Sequence, residues 1–263
     1  MNQRLRYSIK YLKYQLFAKH RKGHGIHSPF MFNLITKVFN HKNLDEKLKE
    51  VFGIYNKMIN SKQVLHFNEI GAGSSYNKEE NQILSKIIRR SSINKKYGQL
   101  IYNLVKYFNP PQILELGTSV GISTAFISQA ATISTFKTIE GILQKIEIAK
   151  EISTELNTNP EFILGDFDST LDKVLDKFQH LDFIFFDGNH TQQATLNYFN
   201  KCVKKAHNDS VFVFDDIHWS KDMELAWNKI KSHEKVKISV DLFRLGLIFF
   251  KKELSNQHYV IKF

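Results

Sequence analysis

Four side chains near the middle and end of the chain have the types and spacing for proton-transfer or cation chemistry. Asp187 and His190 stand three residues apart in Asp187-Gly188-Asn189-His190, and Asp215 and Asp216 form an acidic pair. Three carboxylates brought together would make a hard oxygen site suited to Mg²⁺ or another divalent ion. Such an ion lowers the pKa of a bound hydroxyl, and His190 is placed to take the proton as general base. The bland alternative is that Asp215 ends a strand and Asp216 caps a turn.

These residues acquire meaning from the elements that carry them. From residue 112 onward, short apolar runs alternate with helical patterns, which predicts a parallel sheet with crossover helices. Strands are expected near 112–116, 135–140, 161–165, 182–187 and 210–215. The intervening helices fall near 122–131, 142–156, 168–178, 191–205 and 221–232. Two later runs, 236–241 and 245–250, read as an antiparallel hairpin, and 258–263 as a short edge strand. Ligands of open α/β sheets bind beyond the carboxyl ends of the strands, and each expected strand here ends on an acidic or glycine turn. The first runs through Glu115, Gly117, Thr118, Ser119, Gly121 and Ser123, a strand–turn–helix junction that directs backbone N–H groups and a helix dipole to one point. The second ends at Glu140, the third at Gly165-Asp166-Phe167, the fourth at Asp187 and the fifth at Asp215-Asp216. Singly, Glu140 or Asp166 could equally be a helix cap.

The spacing Glu115-x-Gly117-x-x-x-Gly121-x-Ser123 differs from the dinucleotide fingerprint, and no lysine follows as a phosphate loop would need. It resembles the first motif of class I S-adenosylmethionine-dependent methyltransferases. That resemblance, spanning roughly 97–252, implies an α/β fold with a Rossmann-like sheet of five parallel strands closed by an antiparallel hairpin, helices on both faces and an N-terminal helical extension. It implies S-adenosyl-L-methionine as cofactor, with its methionine part on the turn from Gly117 to Gly121 and its amino group near Glu115. Glu140 would take the ribose hydroxyls, and Gly165, Asp166 and Phe167 the adenine, with Asp187 bordering the site. The Asp-Pro-Pro-aromatic loop of amine methylators is absent. Asp187, His190, Asp215 and Asp216 instead resemble metal-dependent O-methyltransferases, the macrolide-sugar type more than the catechol type. The expectation is methyl transfer to a hydroxyl of a small-molecule or sugar-like acceptor, with His190 and Asp187 catalytic and Asp187, Asp215 and Asp216 as ligands of Mg²⁺ or a similar ion.

The remaining features set the boundaries. The domain division expected is 1–96, a helical cap, and 97–263, the cofactor-binding domain. A net charge of +11 is compatible with nucleic acid, an anionic surface or a solvated exterior. An RNA ribose methyltransferase and a non-catalytic cofactor-binding or membrane-associated adaptor therefore stand as alternatives. Residues 1–22 form a basic amphipathic helix that either packs on the domain or lies on a membrane. The lone Cys202 excludes an internal disulfide, and the absence of a signal-peptide pattern leads to a cytoplasmic expectation. Gly71 to Ser75 read as a flexible turn, and the His24–Phe30 loop as a helix entry near the acceptor.

Overall fold

The computed structural model describes residues 3–42, 44–66 and 81–263; the Gly71–Ser75 turn lies outside them. The first elements in chain order are α1 (Gln3–Phe17), α2 (Pro29–Leu34) continued by a π-helical turn (Ile35–Phe39), α3 (Glu46–Met58), β1 (Val64–His66) and β2 (Asn81–Ile83). Then follow α4 (Leu84–Ser91), α5 (Lys95–Phe108), β3 (Gln112–Leu116), α6 (Ile122–Ala130), β4 (Thr135–Glu140), α7 (Leu143–Glu155), β5 (Glu161–Leu164) and α8 (Phe167–Leu175). The chain ends with β6 (Leu181–Phe186), α9 (Gln192–Cys202), β7 (Ala206–Phe214), α10 (Lys221–Lys231), β8 (Ile238–Asp241), β9 (Gly246–Phe249) and β10 (Gln257–Val260).

Two compact units divide these elements: residues 42–174 form one, and residues 1–41 with 175–263 the other. This partition differs from a break at residue 96. The helices from α3 to α5 belong with the glycine turn, and only the first 41 residues belong with the C-terminal half.

In the 42–174 unit, β3 pairs in parallel with β4, and β4 with β5. Ile113, Leu114 and Leu116 are buried, as expected for a parallel strand covered on both faces. Side chains at the helix entries satisfy backbone donors that have no partner within the helix. Asp45 Oδ1 accepts from Leu48 N–H at 2.9 Å and Asn94 Oδ1 from Tyr97 N–H at 3.1 Å. α5 and α6 approach so closely at Gly98 that a Cβ there would lie 2.2 Å from the Phe126 ring.

In the other unit the strand order is β10-β8-β9-β7-β6. β6 and β7 are parallel, β9 is antiparallel to both β7 and β8, and β10 runs parallel to β8. Every residue of β6 is buried, and Phe186 stacks on Phe214 with ring centroids 4.3 Å apart. Thr191 and Ser220 cap α9 and α10. The expected α/β architecture is present: parallel β3 to β5 and β6 to β7, the antiparallel hairpin β8–β9, and crossover helices between the parallel strands. The bounds differ from expectation mainly at β7, which begins four residues early because a register shift beside Leu181 and Phe183 lengthens its N-terminal end.

Candidate active site

The glycine turn lies in the 42–174 unit and is built as a rigid junction. Gly117 N–H and Thr118 N–H both donate to Ile139 O, at 3.0 and 3.3 Å. Gly117, Ser119 and Gly121 have φ of 105°, 46° and 85°, a left-handed run that a non-glycine residue such as Ser119 adopts only at a cost. Gly121 starts α6, and a Cβ there would meet Ala149 Cβ at 2.7 Å and its Cα at 2.8 Å. Glu115 is fully buried. Its Oε2 accepts from Thr124 Oγ1 at 2.6 Å and Thr138 Oγ1 at 2.7 Å, so this carboxylate ties β3 to α6 and β4. Glu140 comes to the same turn: its Oε2 accepts from Ser119 N–H at 2.8 Å and its Oε1 from Ile142 N–H at 3.1 Å.

These residues fit S-adenosylmethionine in two respects. The amides at the start of α6 offer donors at one point, those of Gly117, Ser119 and Gly121 being used within the turn itself, and Glu140 puts a carboxylate beside them that can accept from vicinal hydroxyls. Gly165 N–H donates to Glu140 O at 3.0 Å, which places the third strand end next to the second. Asp166 is exposed and works as a helix cap, accepting from Ser169 N–H at 2.9 Å and Ser169 Oγ at 2.5 Å. Those bonds, the side-chain one foremost, hold its carboxyl below the usual range. Phe167 follows as the first residue of α8, half-buried; Ser123, in the first turn of α6, is buried.

Asp187, His190, Asp215 and Asp216 all lie in the other unit, on the turns after β6 and β7. Both turns contain a left-handed non-glycine residue, Asn189 at φ 49° and Asp216 at φ 54°. Asn189 Nδ2 donates to Tyr198 OH at 3.0 Å. His190 Nε2 lies 3.5 Å from Asp187 Oδ1. Burial alone would lower the imidazole pKa, but the bond to Asp187 and the charges of Asp216, Asp187 and Asp215 outweigh it and push the value up to about 9. Burial, reinforced by the Asp215 charge, raises the Asp187 carboxyl. Burial and the same neighbour raise Asp216 to about 7, although Arg244 and His190 oppose it.

Arg244 changes the reading of the acidic pair. It sits in the turn between β8 and β9, and Ile217 N–H donates to its carbonyl at 3.2 Å. Its Nε donates to Asp215 Oδ1 at 2.9 Å and its Nη2 to Asp215 Oδ2 at 2.7 Å, the bidentate fork that guanidinium makes with carboxylate. Asp215 Oδ1 also accepts from Asp216 N–H at 2.8 Å, and Arg244 Nε lies 3.8 Å from Asp216 Oδ1. Both oxygens of the central carboxylate are therefore engaged by a fixed cation. The expected divalent-ion site on Asp187, Asp215 and Asp216 does not fit this arrangement, because Arg244 holds both oxygens of Asp215 and the three carboxylates are not among the described groups gathered closely enough for an ion. Sequence reasoning missed Arg244. The available signal was a single basic residue inside the mostly apolar hairpin Val240–Phe250.

His218 Nε2 and Asp241 Oδ2 are 2.7 Å apart, and Trp219 packs edge-on against Tyr7 with centroids 5.7 Å apart. Among the described residues, His180, Asp182 and His207 form a group with ligand atoms within 4.8 Å of one another. They stand at the N-terminal ends of β6 and β7, the opposite ends of those strands from Asp187 and Asp215. His207 Nε2 is 2.8 Å from Asp182 Oδ1, and Asp209 N–H donates to His207 Nδ1 at 3.3 Å. With Nδ1 accepting, Nε2 carries the proton and donates to Asp182, while His180 Nε2 lies 3.7 Å from the same Asp182 Oδ1.

Comparison with known proteins agrees with this construction. Residues 114–217 match the family model described as a methyltransferase domain, the stretch from β3 to the turn after β7. No curated protein sequence matches the chain. An O-methyltransferase from Bacillus cereus in complex with SAH is 16% identical with a TM-score of 0.56, covering 83% of this chain and 96% of that one. TomG from Streptomyces achromogenes, an O-methyltransferase involved in tomaymycin synthesis and solved with SAM, is 15% identical with a TM-score of 0.55, covering 95% and 99%. The SAH-bound methyltransferase PaMTH1 of Podospora anserina is 13% identical with a TM-score of 0.57, covering 81% and 91%. At such identities the likeness is one of fold. The chain thus shares the class I, Rossmann-like methyltransferase fold of these structures, and residues 114–217 within it match a methyltransferase domain.

Proposed function

We propose that the protein methylates a hydroxyl group of a small-molecule acceptor, with His190 as the proton acceptor, Asp187 as its orienting partner and Arg244 as a built-in cation in place of a metal. The observation that carries this reading is the His190–Asp187 pair on the left-handed turn after β6. A base oriented by a carboxylate is the arrangement that hydroxyl activation needs. The structural neighbours described as O-methyltransferases support an oxygen acceptor.

Gly117, Ser119 and Gly121 would hold the methionine part of the cofactor, Glu140 the ribose hydroxyls, and Gly165 to Phe167 the adenine. S-adenosylmethionine, when bound, supplies a methyl group made electrophilic by the positive sulfur. His190 would accept the proton of an acceptor hydroxyl, with Asp187 orienting the ring, so that the oxygen could attack as a nucleophile. Arg244 and the Asp215 carboxylate cancel most of each other's charge, so that Asp187 and Asp216 remain to stabilise the imidazolium formed on His190.

Only the neutral ring can accept the proton. With a pKa of about 9, turnover should therefore rise with pH up to roughly that value and then level off. The test pairs calorimetric titration of S-adenosylmethionine with turnover on a panel of sugar and phenolic hydroxyl acceptors, for wild type and His190→Gln. Retained cofactor affinity with turnover reduced at least 100-fold is expected. Equal turnover in the variant would remove His190 from the mechanism.

A further inference from the structure

The helix α1 is attached to the protein by the side opposite its aliphatic stripe. Tyr7, Tyr11 and Tyr14 pack around Phe243, with ring centroids 5.0, 5.0 and 5.3 Å away. Tyr14 OH donates to Ile261 O at 2.5 Å and accepts from Phe263 N–H at 2.9 Å. Arg6 and Lys10 pair with Glu224. The aliphatic residues of the amphipathic pattern, Leu5, Ile9, Leu12 and Leu16, recur at helical spacing and point outward. Their exposure runs from 37% at Ile9 to 77% at Leu16, and Phe17 at the helix end is 73% exposed. Lys13 flanks this stripe, and Lys19, Arg21 and Lys22 follow directly after the helix, all exposed.

Charge says what covers the stripe. The first 44 residues carry nine of the chain's 37 Lys and Arg and no Asp or Glu, so this one segment supplies nine of the net +11 charges. A second copy of the chain docking stripe to stripe would bring two such segments together and repel. An anionic bilayer surface complements both features, accepting leucines among the acyl chains and the cations among the headgroups. α1 has 15 residues, and among the described residues no helix is long and apolar enough to cross a membrane. We propose that α1 docks the enzyme on anionic lipid bilayers, through Leu5, Ile9, Leu12, Leu16 and Phe17 inserted below a ring of lysine and arginine.

The test is co-sedimentation of the full chain with vesicles of phosphatidylcholine alone and of phosphatidylcholine mixed with phosphatidylglycerol, at low and high salt. Binding to the mixed vesicles, weakened by salt and by removal of the anionic lipid, is expected. Each cation near an anionic surface is worth roughly a factor of five in partitioning, so Lys13→Glu should weaken binding about 25-fold. Leu12→Glu with Leu16→Glu should weaken it at least ten-fold, with unchanged circular dichroism, melting temperature and cofactor affinity, since both side chains are exposed. The proposal is overturned by absence of vesicle binding, by binding indifferent to these variants, or by a solution dimer that the leucine variants dissociate. Salt-sensitive capture of RNA or DNA without vesicle binding overturns it as well.

Discussion

Replacing Arg244 by Met tests the account of the acidic pair directly. The substitution keeps most of the apolar stem and deletes the guanidinium, leaving Asp215, whose side chain is fully buried, without its bidentate partner. Asp187 and Asp216 then face that charge with only His190 to oppose them. Breaking a buried pair from one side costs about 3–5 kcal/mol, which for a chain of this size lowers the melting temperature by roughly 6–20 °C. Because Asp216 already titrates near 7, lowering the pH toward 5.5 should protonate it and recover part of the loss. Removing both charges, Arg244→Met with Asp215→Asn, should recover more, since the remaining groups can be hydrogen-bonded neutrally. The same single variant probes the displaced-metal argument. With the guanidinium gone, three carboxylates are free to gather a divalent ion, so Mg²⁺ or Mn²⁺ should raise the melting temperature of Arg244→Met while leaving wild type unmoved. Thermal melts with and without the ion decide both points. A loss under 1 kcal/mol, or an equal stabilisation of wild type by the ion, would refute the reasoning that Arg244 holds the cation position.

Two further outcomes follow from single groups. The His190 pKa is raised from 6.5 to about 9, so the protonated ring is favoured by folding. Its contribution, up to about 3 kcal/mol, is fully present below pH 6.5 and disappears as pH rises through 9; the stability difference between wild type and His190→Gln in denaturant titrations should shrink over that window. Gly121→Ala forces a Cβ to within 2.7 Å of Ala149 at φ 85° and should cost about 2 kcal/mol, together with weaker S-adenosylmethionine binding by calorimetry as α6 is displaced from the turn.

What was legible in the sequence, and what was not, divides along one physical line. The strands and helices from β3 to α10 are announced locally, by apolar runs ending at Gly117, Glu140, Gly165, Asp187 and Asp215, and their observed bounds mostly fall within a few residues of expectation. The left-handed positions Ser119, Asn189 and Asp216 occupy the same strand ends. Partnership across the chain is a different matter. Asp215 and Asp216 read as cation ligands because two adjacent acids near a third suggest an ion, and nothing beside them reveals that the cation is a side chain 29 residues downstream. The hairpin that carries it looks structural, since most of its other residues are apolar.

The amphipathic pattern of α1 was equally visible, but periodicity fixes only that a helix has two faces. Which face is buried depends on the partner surface. Here that surface is an aromatic and hydrogen-bonding one, built from Phe243, Trp219 and the carbonyl of Ile261, and tyrosines satisfy it better than leucines because each brings a ring and a hydroxyl. Tyr14 uses both, with its ring against Phe243 and its oxygen bonded to the backbone at Ile261 and Phe263. The leucines are thereby left facing outward, uncovered among the described residues. Polar-tipped aromatics that hold the helix down, aliphatic residues that face solvent, and a segment without one acidic residue before Asp45 are together what the proposed docking on an anionic bilayer rests on.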